Sequence, residues 1–204
     1  MRFLRIKLTV PAVALFLVGL LGCNVQETTP SMLATDGINQ ELVREVEGIS
    51  DYHAQKIAFT QMLTNEEKTY FFKKRIIEKM QDLPLTVEQK DHLNLLLANA
   101  TPDLYVAGSA KGRKGIDFLN QWTIKGKAIF ERGTLYNIVG SLSPKNGGSA
   151  INVTAPPSTT KCGCATTSNY CGDRYDCNYI PSCKVTGCGT FWAYTCNGSC
   201  DLTY

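Results

Sequence analysis

At 204 residues the chain can hold one or two small domains, and its 21 lysines and arginines exceed its 18 acids by three. Arg2, Arg5 and Lys7 supply that whole excess, so everything beyond them is electroneutral. That balance excludes the electrostatic footprint of a nucleic-acid binder and a polybasic patch for anionic lipid.

The first seven residues, "MRFLRIK", are a positive start, and Leu8 to Leu21 is an apolar run. The run is short for a bilayer span and right for a secretory leader. It closes on Leu20-Leu21-Gly22-Cys23, with leucine three places before a cysteine and a small residue directly before it. This resembles the lipobox of bacterial lipoproteins, although Leu21 is bulkier than the usual residue there. The resemblance implies a signal peptide over 1–22, acylation of Cys23 with palmitate-type chains, and a protein lipid-anchored on the outer side of a bacterial membrane. Several acyl chains hold such an anchor stably where one does so only marginally. Residues 23–37 read as a polar tether.

Residues 38–140 carry helical signals. Leu42, Val46, Ile49 and Ile57 recur at roughly helical spacing between Gln40 and Met62. Thr64-Asn65-Glu66-Glu67 has the pattern of a capping box and introduces a stretch in which Tyr70, Phe72, Ile76, Ile77 and Met80 share a face. Pro84 breaks that helix, and Thr86-Val87-Glu88-Gln89 opens another. Pro102 suits a first helical turn. A weaker helical stretch over Gly115–Glu131 carries Ile116, Leu119, Trp122 and Ile129. Three to five helices in a small bundle are expected.

Residues 141–161 are linker chemistry, mostly Ser, Thr, Pro, Gly and Asn. Behind them lies a tail, 162–204, that holds eight of the nine cysteines: Cys162, Cys164, Cys171, Cys177, Cys183, Cys188, Cys196 and Cys200. With Cys23 lipidated the remainder is even, as a closed disulfide set requires. No Cys-x-x-Cys pair is present, and an exported chain meets oxidants, so disulfides are preferred to zinc or any other metal. A segment this short buries too little apolar surface to fold by collapse alone, and crosslinks substitute for a core. Eight cysteines allow 105 connectivities, among which the sequence does not choose. The fold class is therefore mainly α: a helical bundle, a flexible linker and a small disulfide-rich, loop-dominated module.

The tail's aromatics, Tyr170, Tyr175, Tyr179, Phe191, Trp192 and Tyr194, admit two readings. They are a membrane or target contact surface, or they are the packing of a scaffold without aliphatics. Enzymatic constellations are poor. His53 and His92 are far apart and expected to face solvent, and there is no lipase elbow, HExxH or phosphate loop. No catalytic residue, cofactor or nucleic-acid partner is expected.

The order of pieces in the tail is specific: Cys162-Gly163-Cys164, Ser168-Asn169-Tyr170-Cys171, Cys177, Cys183, Thr186-Gly187-Cys188-Gly189-Thr190, Trp192 and Cys196-Asn197-Gly198. It resembles the bacteriocin fulvocin C-related family, as does, more loosely, Leu63-Thr64-Asn65-Glu66-Glu67-Lys68 upstream. Cys200 lies beyond the family's terminal Cys-Asn-Gly. The resemblance implies an antibacterial peptide precursor. The helical part would be a proregion and the tail the active module, acting on the envelope of competing bacteria and freed by a cut in the linker, with Lys161 as the processing point. The alternative is an uncleaved surface lipoprotein whose tail is a disulfide-stabilised binding or adhesion head.

Overall fold

A computed structural model describes residue 33 and residues 35–141, 162–171 and 175–202. The stretch read as a signal peptide, Cys23, most of the stretch read as a tether, the stretch read as a linker from 142 on and Lys161 lie outside the described residues.

Among the described residues six α-helices precede the tail: α1 (Gln40–Gly48), α2 (Tyr52–Met62), α3 (Asn65–Asp82), α4 (Val87–Asn99), α5 (Ala110–Ile129) and α6 (Arg132–Val139). The first five begin at a side-chain cap, with Asn39, Asp51, Thr64, Thr86 and Ser109 each accepting from a backbone N–H of the first turn. Both capping boxes read from the sequence form, with Glu67 and Gln89 closing them. Asp51 splits the stretch read as one helical run into α1 and α2, and this break leaves Ile57 exposed. Ser109 starts α5 earlier than the aliphatic spacing suggests, and α6 is an addition to the expected set.

Glu67 does more than cap its own helix. One carboxylate oxygen accepts from Thr64 N at 2.8 Å and the other from Asn39 N at 3.1 Å, tying the start of α1 to the start of α3. Between α4 and α5, Trp122 Nε1 donates to His92 O at 2.8 Å, while His92 Nε2 lies 3.0 Å from Trp122 O with the two rings stacked. His92 is thus half-buried against Trp122, where the sequence placed it toward solvent; only His53 is exposed. Desolvation lowers the His92 pKa, disfavouring the charged ring in this contact, while its hydrogen bond to the Trp122 backbone works the other way.

The tail adds two short antiparallel ribbons. Strand β1 (Tyr175–Tyr179) pairs with β4 (Gly198–Leu202), and β2 (Val185–Cys188) with β3 (Tyr194–Cys196). A 3-10 turn, Thr190–Trp192, joins the second ribbon, and another, Pro102–Tyr105, precedes α5. One apolar core runs through both parts: Phe59, Phe71, Phe72, Ile76, Leu119 and Ile138 from the helices, and Phe191, Trp192 and Cys196 from the tail. Ser141, at the head of the stretch read as linker, is buried.

Candidate functional site

The tail's covalent frame comes first, because it fixes where every other side chain lies. Its eight cysteines form four bridges: Cys162–Cys183, Cys164–Cys177, Cys171–Cys200 and Cys188–Cys196. Cys177 and Cys200 face each other in the β1–β4 register, yet each bridges outward to the segment before β1. The two bonds therefore pin Cys164 and Cys171 onto the same ribbon. Cys188–Cys196 closes the β2–β3 loop. The sulfurs of Cys164, Cys171 and Cys177 lie within 4.8 Å of one another, a spacing a metal ion could use. Each belongs to a bridge, so none offers the thiolate that a metal needs.

No bridge reaches the helices, since Cys23 is the one cysteine outside the tail. Among the described residues, what joins the two parts besides the continuous chain is non-covalent. At its centre is Phe191-Trp192. Phe191 stacks on Phe72 with centroids 4.8 Å apart, and Trp192 meets Phe59 and Tyr52 edge-on at 5.4 and 5.6 Å. Trp192 Nε1 donates to Gly140 O at 2.8 Å, and Tyr105 OH donates to Phe191 O at 2.9 Å. Both residues have positive φ, 60° and 49°. Left-handed backbone on two bulky aromatics costs about 1–3 kcal/mol per residue, and the burial of the rings offsets it. Gly189 makes the turn possible: at φ +71°, a Cβ there would lie 2.6 Å from Ser168 Cβ.

A polar seam surrounds this anchor. The Thr123 and Thr190 hydroxyls are 2.9 Å apart, Tyr170 OH lies 2.7 Å from Thr190 Oγ1, and Thr190 N donates to Ser168 Oγ at 2.9 Å. Tyr194 OH donates to Asn120 Oδ1 at 2.9 Å. Burial pushes the Tyr170 hydroxyl up to about 12, with the Thr190 hydrogen bond working the other way. Lys56 of α2 sits against the Cys188–Cys196 bridge, with Nζ 3.5 Å from Cys196 Sγ and 5.8 Å from the Trp192 centroid. Desolvation lowers its pKa to about 8.

The six aromatics split accordingly. Tyr170, Phe191, Trp192 and Tyr194 are buried and pack the seam. Tyr175 is half-buried and Tyr179 exposed. Sequence reasoning did not find Lys56, Tyr105, Asn120 or Thr123, which meet the tail from α2, α5 and the turn between α4 and α5. A lone polar residue on a helix carries no signal of a distant partner. Among the described residues no helix is long and apolar enough to cross a membrane.

Comparison with protein-family models, curated protein sequences and solved structures gives no match.

Proposed function

We propose that the chain is an exported, lipid-anchored precursor of an antibacterial peptide, held latent by its own helical body. The observation that carries this reading is the self-contained bridge network. All four disulfides close within Cys162–Cys200, so a single cut in the linker would leave a covalently complete tail held only by side-chain contacts. Once the tail left its seat, Phe191, Trp192, Tyr170 and Tyr194 would turn from packing into an exposed aromatic surface, apolar in body and polar at the tip. Such a surface suits the interface of a competitor's envelope. The tail's own charges are nearly balanced, with Arg174 and Lys184 against Asp173, Asp176 and Asp201, so binding would rest on those rings more than on net charge.

A second reading is favoured by the shared core: an uncleaved surface lipoprotein whose tail is a disulfide-stabilised binding or adhesion head. The test is a protease site inserted within 142–161. The intact protein, the cut protein and the separated oxidised tail are each assayed for killing of a panel of related bacteria. Killing by the separated oxidised tail alone, abolished by reduction, is the expected result. A harmless tail, with no free tail in the host's culture fluid, supports the uncleaved head instead.

A further inference from the structure

The seam carries a second feature, a half-open cleft of about 560 Å³ beside the anchor. Its helical wall is Phe59, Leu104, Tyr105 and Ile116, and its other wall belongs to the tail, with Trp192 and Tyr194. The volume lies within the usual range for small-molecule sites, and the walls follow their usual chemistry of apolar surface with few polar groups. Among the described residues three charged side chains line it: Lys68, Arg113 and Asp117. Together they leave one net positive charge.

We propose that this cleft binds one amphiphile that carries a single carboxylate, its apolar chain against Trp192 and Leu104 and its head at Lys68 and Arg113. Lys68 is the more telling cation. Among the described residues it forms no ion pair; its ammonium lies 5.7 Å from the Tyr105 ring centroid, half-buried. A partly desolvated ammonium with a ring face for company attracts an incoming carboxylate more strongly than an exposed one, because less water screens the pair. Burial lowers its pKa, consistent with that surrounding. Arg113 donates Nη1 to Gly108 O, which leaves other guanidinium donors for the same head group. Asp117, exposed on the helical turn after Arg113, disfavours a dianion and sets the preference for one charge.

The consequence reaches the whole molecule. Because one wall is helical and the other belongs to the tail, the cleft exists only while the tail is seated. A bound amphiphile therefore stabilises seating by linkage, and release of the tail expels it. The binding stands apart from antibacterial action and is read without it.

The test is titration of the full oxidised protein with dodecanoate, dodecanol and dodecylammonium, each below its micellar concentration, followed by calorimetry and by tryptophan fluorescence. Dodecanoate is expected to bind one-to-one and at least about tenfold more tightly than the alcohol. Shortening it to decanoate should weaken binding about tenfold, as two buried methylenes imply. Lys68→Gln and Arg113→Gln should each weaken dodecanoate severalfold and narrow its advantage over dodecanol. No saturable dodecanoate binding, equal affinity for acid and alcohol, or preference for the ammonium overturns the proposal. The acid–alcohol comparison needs no variant, so it decides the matter even if a substitution impairs folding.

Discussion

Trp192→Ala tests whether the tail and the helices are one cooperative structure. Trp192 is 3% exposed, meets Phe59, Tyr52 and Phe72, and satisfies Gly140 O. Truncating a buried aromatic to alanine costs about 3–5 kcal/mol. Leaving the buried Gly140 carbonyl without this donor adds about 1 kcal/mol or more. Alanine still occupies a left-handed φ, so little strain is relieved. The loss should be about 4–6 kcal/mol, a large part of a typical domain's stability. With a urea dependence of about 2 kcal/mol/M for a chain of this size, the midpoint should fall by about 2–3 M. The assay is urea unfolding of the oxidised protein followed by far-ultraviolet circular dichroism, which reads mainly the helices. Tyr179→Ala, at an exposed position, should stay within about 0.5 kcal/mol of the parent. A helical transition unmoved by Trp192→Ala would refute the shared core.

Gly189→Ala should cost at least about 2 kcal/mol, because it combines a positive φ with a Cβ overlap on Ser168; unfolding midpoints of the oxidised proteins measure it. Glu67→Ala should cost about 2 kcal/mol in thermal unfolding, since it frees the N–H groups of both Thr64 and Asn39, whereas exposed Glu66→Ala should be near neutral. Lys56 sheds its proton near pH 8 in the fold but near 10.5 when unfolded. The unfolded chain therefore binds more protons across that window, and this group's contribution makes stability rise with pH from about 8 to 10.5. Lys56→Met should flatten the rise and stabilise the protein by about 1 kcal/mol at pH 7, as measured by urea unfolding at a series of pH values. Tyr170 acts in the opposite sense: its pKa is raised in the fold, so its contribution is complete below pH 10 and is lost as pH climbs toward about 12.

The helices were legible where their signals are local. Thr64 with Glu67 and Thr86 with Gln89 are capping boxes complete within four residues, and Pro84 ends α3 by steric exclusion of the helical region before it. The Asp51 break and the Ser109 start were equally local but lay inside, or ahead of, an aliphatic pattern that drew the boundaries elsewhere. The cysteine framework was legible as chemistry, yet not as pairing, because connectivity depends on which strands meet. The sequence left the role of Trp192 open between packing and a contact surface. A tryptophan that fills a helical core and one that faces a membrane have the same sequence neighbours, and only the position of Phe59 and Phe72, more than a hundred residues earlier, separates them. The segment Leu63-Thr64-Asn65-Glu66-Glu67-Lys68 is instructive in the same way: its glutamate at 67 is a structural tie, while its lysine at 68 lines the cleft.

The most direct measurement is mass mapping of the protein after a cut at a site inserted in the linker, under denaturant and without reductant. The tail should separate from the helices, lighter by eight hydrogens, with Cys162 joined to Cys183, Cys164 to Cys177, Cys171 to Cys200 and Cys188 to Cys196. Free thiols in the tail, another pairing, or a bridge from the tail to Cys23 would contradict a self-contained module seated by side-chain contacts alone.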